Sequence, residues 1–339
     1  MTAPTNAPGG QGNGNAQAQL SGIRAKFRHA RRAVIILLVL MLLWPILFGA
    51  YAMLCGLYRS IDPTRFATPD PLVLEQVAQA GAQPDSNQRG TTLLTAMQAE
   101  LQRELHSPFG WSANDLWFMP TRWLDNRANR QRGVIFATRM FLTFYTTQLA
   151  KLGPADAENP HLKESREKRL VYGEDVWGFF RPSAETEYAK ALGLMNKYKD
   201  ELKAGQAVFN CRSDDLYRLF TYLTGEEFLG QALGQLIQSN EDLSFTELDD
   251  RVYYVQGVTL VVRDVFYALM HLFPEITNKG GQESADIVMT NLDKMCTFDP
   301  LIVVGGHHDS MLADHRGKMA RYLITVINRL KDIQESVRR

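Results

Sequence analysis

The chain reads as an all-α protein: a single N-terminal transmembrane helix followed by a large multi-helix bundle. Three observations predict this. Ala33 to Leu54, AVIILLVLMLLWPILFGAYAML, is apolar without interruption. After it, apolar residues recur at i, i+3 and i+4 in one stretch after another, the spacing of amphipathic helices. Only Leu301-Ile302-Val303-Val304, between Pro300 and Gly305, looks extended, which is too little for a sheet.

The apolar run comes first. At about 1.5 Å per residue it spans about 33 Å as a helix, against roughly 30 Å for a bilayer core. It contains no Asp, Glu, Lys, Arg or His. Arg24, Lys26, Arg28, Arg31 and Arg32 precede it without an acid, whereas only Arg59 follows closely before Asp62. Positive charge is retained on the cytoplasmic side. In a bacterium, the N-terminus is therefore expected inside and the main domain, residues 59–339, in the periplasm. Residues 1–20, uncharged and without periodicity, are expected to be a disordered cytoplasmic tail. Residues 21–58 form the basic juxtamembrane segment and the span. Pro45 is tolerable inside a membrane helix, and Tyr51 and Tyr58 suit the outer interface. A cleaved signal peptide ending at Ala50-Tyr51-Ala52 is the competing reading, but the run exceeds the usual core of roughly 7–15 residues. Cys55 follows a bulky Leu54 where a lipoprotein signal needs a small residue.

The helices follow in order. Leu93, Leu94, Met97, Leu101 and Leu105 mark one after the polar stretch SNQRG. A second is expected from Asn126 to Leu152, stopped by Gly153-Pro154. Ser183 caps a third that runs to Lys203, with Glu185 and Glu187 in its first turn. Ser213 looks like the N-cap of DDLYRLFTYLTG, and GEEFLGQALGQLIQSN gives a further short helix. Thr246 to Phe273 is the most apolar helix after the anchor and ends at Pro274. Ser284–Met295 and Ser310–Arg338 complete a bundle of roughly eight helices. Val252 to Phe273 is also long enough to span a membrane. It would then bury Gln256, Arg263, Asp264 and His271 in lipid, where Arg and Asp each cost roughly 2.5–3.5 kcal/mol. A core helix, with Arg263 paired to an acid, is the expectation.

The anchor, the segment GWSANDLWFMPTRWLDNRANRQRGV and the C-terminal SMLADHRGKMARYL together resemble a bacterial inner-membrane protein family of unknown function (domain of unknown function 2333). The resemblance implies an envelope protein over nearly the whole chain after its start. It supplies no activity and no catalytic residues.

Candidate chemistry is sparse. Gly305-Gly306-His307-His308-Asp309, with Asp314 and His315 close behind, offers ligands for zinc or another divalent metal. The simpler reading is a Gly-Gly turn, a helix cap at Asp309 or Ser310, and solvent-facing imidazoles. The spacing matches no HExxH signature. Trp111, Trp117 and Trp123, interleaved with Phe109 and Phe118, concentrate aromatics in a connection, and VYGEDVWGFFRP repeats the pattern around Trp177. Such rings form a platform for a glycan, a peptide or a membrane surface, or else tie a long connection onto the bundle. Ser165 to Lys168 fits S-x-x-K, but the run HLKESREKR reads as a solvated helix face, and SDN and KTG are missing. Asp214-Asp215, Glu226-Glu227 and Asp249-Asp250 sit where helix starts favour negative charge. Cys211 and Cys296 are the one pair an oxidising compartment could bridge, with free buried thiols the favoured expectation.

The 37 basic and 37 acidic residues cancel; without the five leading cations, 32 face 37, a net −5 for the exported part. That balance argues against nucleic-acid binding. The expected partners are the lipid bilayer and other envelope proteins or further copies of the chain, with no cofactor. The reading favoured is a non-enzymatic scaffold or assembly component of the envelope. The alternatives are a metal-dependent hydrolase using His307, His308, Asp309 and His315, or a ligand-sensing domain near the tryptophans.

Overall fold

A helix apolar on every side has nothing to gain from water, and the first helix, α1 (Lys26–Leu47), is of this kind. None of its apolar window is covered by protein. The computed structural model describes residues 26–47, 49–50, 66–107, 110–116, 119, 125–153, 155–237, 245–278, 281–300, 303–305 and 314–338. Contacts divide the chain into Met1–Gly56 and Leu57–Arg339. The expected tail, and Tyr51, Cys55 and Tyr58 at the end of the span, lie outside the described residues.

Among its described residues the second unit is built from helices: α2 (Pro71–Ala80), α3 (Ser86–His106), α4 (Asp125–Phe144), α5 (Pro160–Glu164), α6 (Ala184–Lys203), α7 (Ser213–Leu223), α8 (Gln231–Ile237), α9 (Phe245–Leu272), α10 (Glu275–Asn278), α11 (Gln282–Cys296) and α12 (His315–Arg338). Among the described residues the sole β feature is a single antiparallel bridge between Gly305 and Asp314. The all-α expectation stands.

α9 is the axis of the unit. It packs against α2, α3, α4, α8 and α11, and 83 % of its apolar window is buried by them. Its uniform hydropathy thus has a protein explanation. The closest approach is to α4. A Cβ on Gly133 would stand 2.0 Å from the Tyr254 carbonyl oxygen, and one on Gly257 2.0 Å from that of Arg130. Both positions need hydrogen in place of a side chain so that the two backbones can meet.

Several boundaries differ from the periodicity. The helix expected to reach Leu152 loses α geometry at Phe144 and continues as a π-turn, Tyr145–Leu149. Similar turns extend α5 over Ser165–Arg169 and precede α8 over Glu226–Gly230. Ser213 is the first residue of α7 and not its cap; Asp215 reaches back to accept the Arg212 amide at 3.0 Å. The polar stretch SNQRG opens α3, capped by Asp85, whose carboxylate accepts the Gln88 amide at 2.7 Å while Gln88 returns the bond at 2.9 Å. Asp249-Asp250 lies in the second turn of α9, away from a helix start, and Asp250 accepts a hydrogen bond from Asn129.

Candidate functional site

Two features stand out: an ionic seam buried along α3, α4 and α9, and an exposed aromatic loop before α6.

The seam begins where the chain enters the bundle. Arg263 on α9 is 0 % exposed and its guanidinium holds two main-chain carbonyls, donating to Phe66 and, at 2.6 Å, to Thr68. The next residue, Asp264, accepts the Asp70 amide at 3.1 Å. Two consecutive α9 side chains thereby grip residues 66–70. Asp70 in turn caps α2, accepting the Leu72 amide at 2.8 Å, and takes Arg103 of α3 at 2.6 and 2.7 Å. Arg103 reaches Glu100 at 3.0 Å, and Asp293 of α11 flanks Arg263 at 3.5 Å. The expected acid partner of Arg263 is therefore present, in duplicate.

One turn along α3, Glu104 lies 3.4 Å from Arg127, 3.6 Å from Arg130 and 2.9 Å from Gln131. Arg130 places its guanidinium 5.1 Å from the centre of the Phe66 ring, a cation–π contact. Gln256 accounts for another polar group on α9, donating to the carbonyls of Cys296 and Phe298 at 3.0 and 2.6 Å.

In the middle, Asp70, Glu100 and Asp264 face Arg103 and Arg263, three acids to two cations. Neither Glu100 oxygen has a well-directed donor among the described residues. Burial pushes the Glu100 carboxyl up, with Arg103 opposing and Asp70 adding. Burial pushes Asp264 well up, with Glu100 adding and Arg263 opposing. A proton on this pair would bring the three acids and two cations into charge balance. Glu100, Glu104, Arg263 and Asp264 are all 0 % exposed, whereas Arg103 at the edge of the seam is 15 % exposed and Asp293 is 41 % exposed. The seam's chemistry is cohesion: it fastens residues 66–70 to three helices at once.

The aromatic loop is built differently. Trp111 is fully buried; its indole N–H donates to the Glu174 carbonyl at 2.9 Å and its ring meets Tyr188 edge-on at 5.0 Å. Asn114 donates to the Val176 carbonyl at 3.1 Å, as does the Ala184 amide at 3.0 Å. Tyr172 donates to the Pro182 carbonyl at 2.8 Å. On this pinned base stand the exposed Trp177, Phe179 and Phe180, with Trp177 stacked on Phe179 and Phe180 meeting Phe179 edge-on. The two aromatic segments do meet, with Trp111 as support and Trp177 as surface. Trp117 and Trp123 lie outside the described residues.

His307, His308 and Asp309 also lie outside them. His315 begins α12, its Nδ1 accepting the Val304 amide at 3.1 Å and its ring 5.4 Å from that of Phe298. No group of three His, Cys, Asp or Glu positioned to hold a metal occurs among the described residues. Ser165 is buried with its hydroxyl donating to the Ala191 carbonyl at 3.3 Å, while Lys168 is exposed, so they form no nucleophile–base pair. Cys211 and Cys296 are free thiols. Burial pushes the Cys296 thiol up to about 12, so it stays protonated and inert.

The fold and the seam define a class: an all-α bundle behind an N-terminal apolar helix long enough to cross a membrane. The chain belongs to the family described as an uncharacterized protein conserved in bacteria (DUF2333), which it matches over residues 29–241. The match runs from the basic segment into the residues after α8 and stops short of SMLADHRGKMARYL. No curated protein and no solved structure matches the chain.

The sequence signal for the seam was present but unread. Glu100 and Glu104 occupy the same helical face as Met97 and Leu101, where a core-facing charge demands a buried partner.

Proposed function

We propose that the protein is a single-pass inner-membrane protein whose helical domain stands in the periplasm and acts through contacts, as a scaffold or assembly component of the envelope. The observation that carries this reading is the clamp of Arg263 and Asp264 on residues 66–70. Two fully buried charges there fix residues 66–70 within the bundle, and a domain that uses its buried ionic groups for cohesion suits a role played through contacts. The buried acids have no solvent access, and Ser165 and Lys168 diverge, which favours a non-catalytic role. Reporter fusions at the C-terminus test the topology: alkaline phosphatase is expected to be active and green fluorescent protein dark. The opposite pattern overturns the proposal. Mild-detergent extraction after crosslinking in cells tests the role, and recovery of a lone monomer across several detergents counts against a scaffold.

A further inference from the structure

We infer that the loop Trp177–Arg181 is a second membrane contact, a wedge that inserts Phe179 and Phe180 into the headgroup region of the bilayer. This rests on the membrane-anchored reading above. Trp177 is 36 % exposed, Phe179 69 % and Phe180 94 %. At roughly 200 Å² of surface per aromatic side chain, these fractions leave about 400 Å² of apolar area at one tip. A specific protein partner buries about 800 Å² per side, twice this. A bilayer needs no such flat area, because lipid surrounds a protruding tip on all sides.

The construction of the loop fits insertion. Its base is fixed by the Ala184–Val176, Asn114–Val176, Trp111–Glu174 and Tyr172–Pro182 hydrogen bonds, so little order remains to be imposed on binding. Trp and Phe are suited to the membrane–water boundary, and exposed Arg181 beside them suits an anionic headgroup.

The loop is also connected to the place where the chain enters the domain. The ring of Phe66 packs under Arg130 on α4. The neighbouring Gln131 accepts the Ser112 amide at 2.8 Å, and Trp111 beside it holds Glu174 at the loop's base. Phe66 and the base of the loop thus attach to the same turn of α4. Nineteen residue steps join Leu47 to Phe66, a tether of about 68 Å at full extension, so in the membrane-anchored reading lipid is a surface within reach of the domain.

The test uses the full-length protein in vesicles of phosphatidylethanolamine and phosphatidylglycerol. Two variants, Phe180→p-benzoylphenylalanine and Ile324→p-benzoylphenylalanine, are irradiated in parallel, the second on exposed α12 surface. Carbonate washing reports the anchor separately. The expected result is a carbonate-resistant protein with phospholipid adducts several-fold higher at position 180 than at 324. Resistance to carbonate with equal yields, or adducts at 180 mainly to a second copy of the chain, overturns the wedge and leaves the anchor standing. Release by carbonate overturns both.

Discussion

α1, of 22 residues, and α9, of 28, are both long and apolar enough to cross a membrane, yet none of the first helix's apolar window is covered by protein and 83 % of the second's is. The difference lies in a handful of side chains. α1 offers no buried-capable polar group through its apolar stretch. α9 carries Gln256, Thr259, Arg263 and Asp264, all buried, and each has a partner on another segment or turn. Hydropathy records how much a helix avoids water; the polar residues record which solvent replaces it. A lipid-facing helix cannot satisfy Arg263, whereas a bundle supplies the Phe66 and Thr68 carbonyls and Asp293.

The comparison breaks most severely at Arg263. Replacing it by Met removes the cation from a site that keeps Asp70, Glu100 and Asp264, and it leaves the Phe66 and Thr68 carbonyls without their donor. Loss of one partner from a buried ionic group costs about 3–5 kcal/mol, so Arg263→Met should lower the chemical-denaturation midpoint sharply and expose the chain near Phe66 to protease. A midpoint near wild type would show that the clamp contributes nothing. Gly257→Ala comes next. A methyl 2.0 Å from the Arg130 carbonyl forces α4 and α9 apart, with an expected loss of about 3 kcal/mol, read by the same denaturation. The matching test on the first helix is Leu40→Arg, whose charge at mid-span opposes insertion by roughly 3 kcal/mol. It should raise the carbonate-extractable fraction while leaving the melting of the bundle unchanged. If melting moves instead, the two helices are not separate problems.

How far the sequence disclosed this architecture depends on the kind of signal. Helix positions were legible because 3.6-residue periodicity is a local property, and the Arg263 pairing followed from a charge set within an apolar run. The π-turn at Tyr145 was not, because Tyr145 is set by tertiary contacts: its hydroxyl donates to the Gly90 carbonyl at 3.0 Å and its ring stacks on Phe209. Nor was the division of labour between Trp111 and Trp177. Both are tryptophans in connections, and only Tyr188 and the Glu174 carbonyl, distant in sequence, make one a support. The seam escaped because Glu100 and Glu104 belong to no motif; their meaning depends on what α4 and α9 bring opposite them.

The smallest expected effect sharpens the comparison further, since it asks whether the buried pair holds a proton. Glu100 and Asp264 are both raised above ordinary carboxylates. Raised carboxyls predict that the folded state holds a proton that the unfolded chain releases near pH 4. Stability attributable to the pair is complete below that pH and declines as pH rises toward the raised folded value, by at most about 1.4 kcal/mol per pH unit for one proton. Asp70, Arg103, Arg263, Asp293, Glu104 and the Cys296 thiol surround the pair, and the arginines keep the decline shallow. Glu100→Gln retains shape and removes one titrating group, so Asp264, raised first by burial, loses the charge that adds to that rise. Urea denaturation of wild type and variant from pH 5 to pH 8 should show a flatter dependence for Glu100→Gln, with stability at pH 8 equal to or above wild type. An unchanged slope in both Glu100→Gln and the double variant with Asp264→Asn would place the titrating proton elsewhere. A flat profile for the wild type would mean that both acids ionise in the core, leaving Arg103 and Arg263 to balance three negative charges.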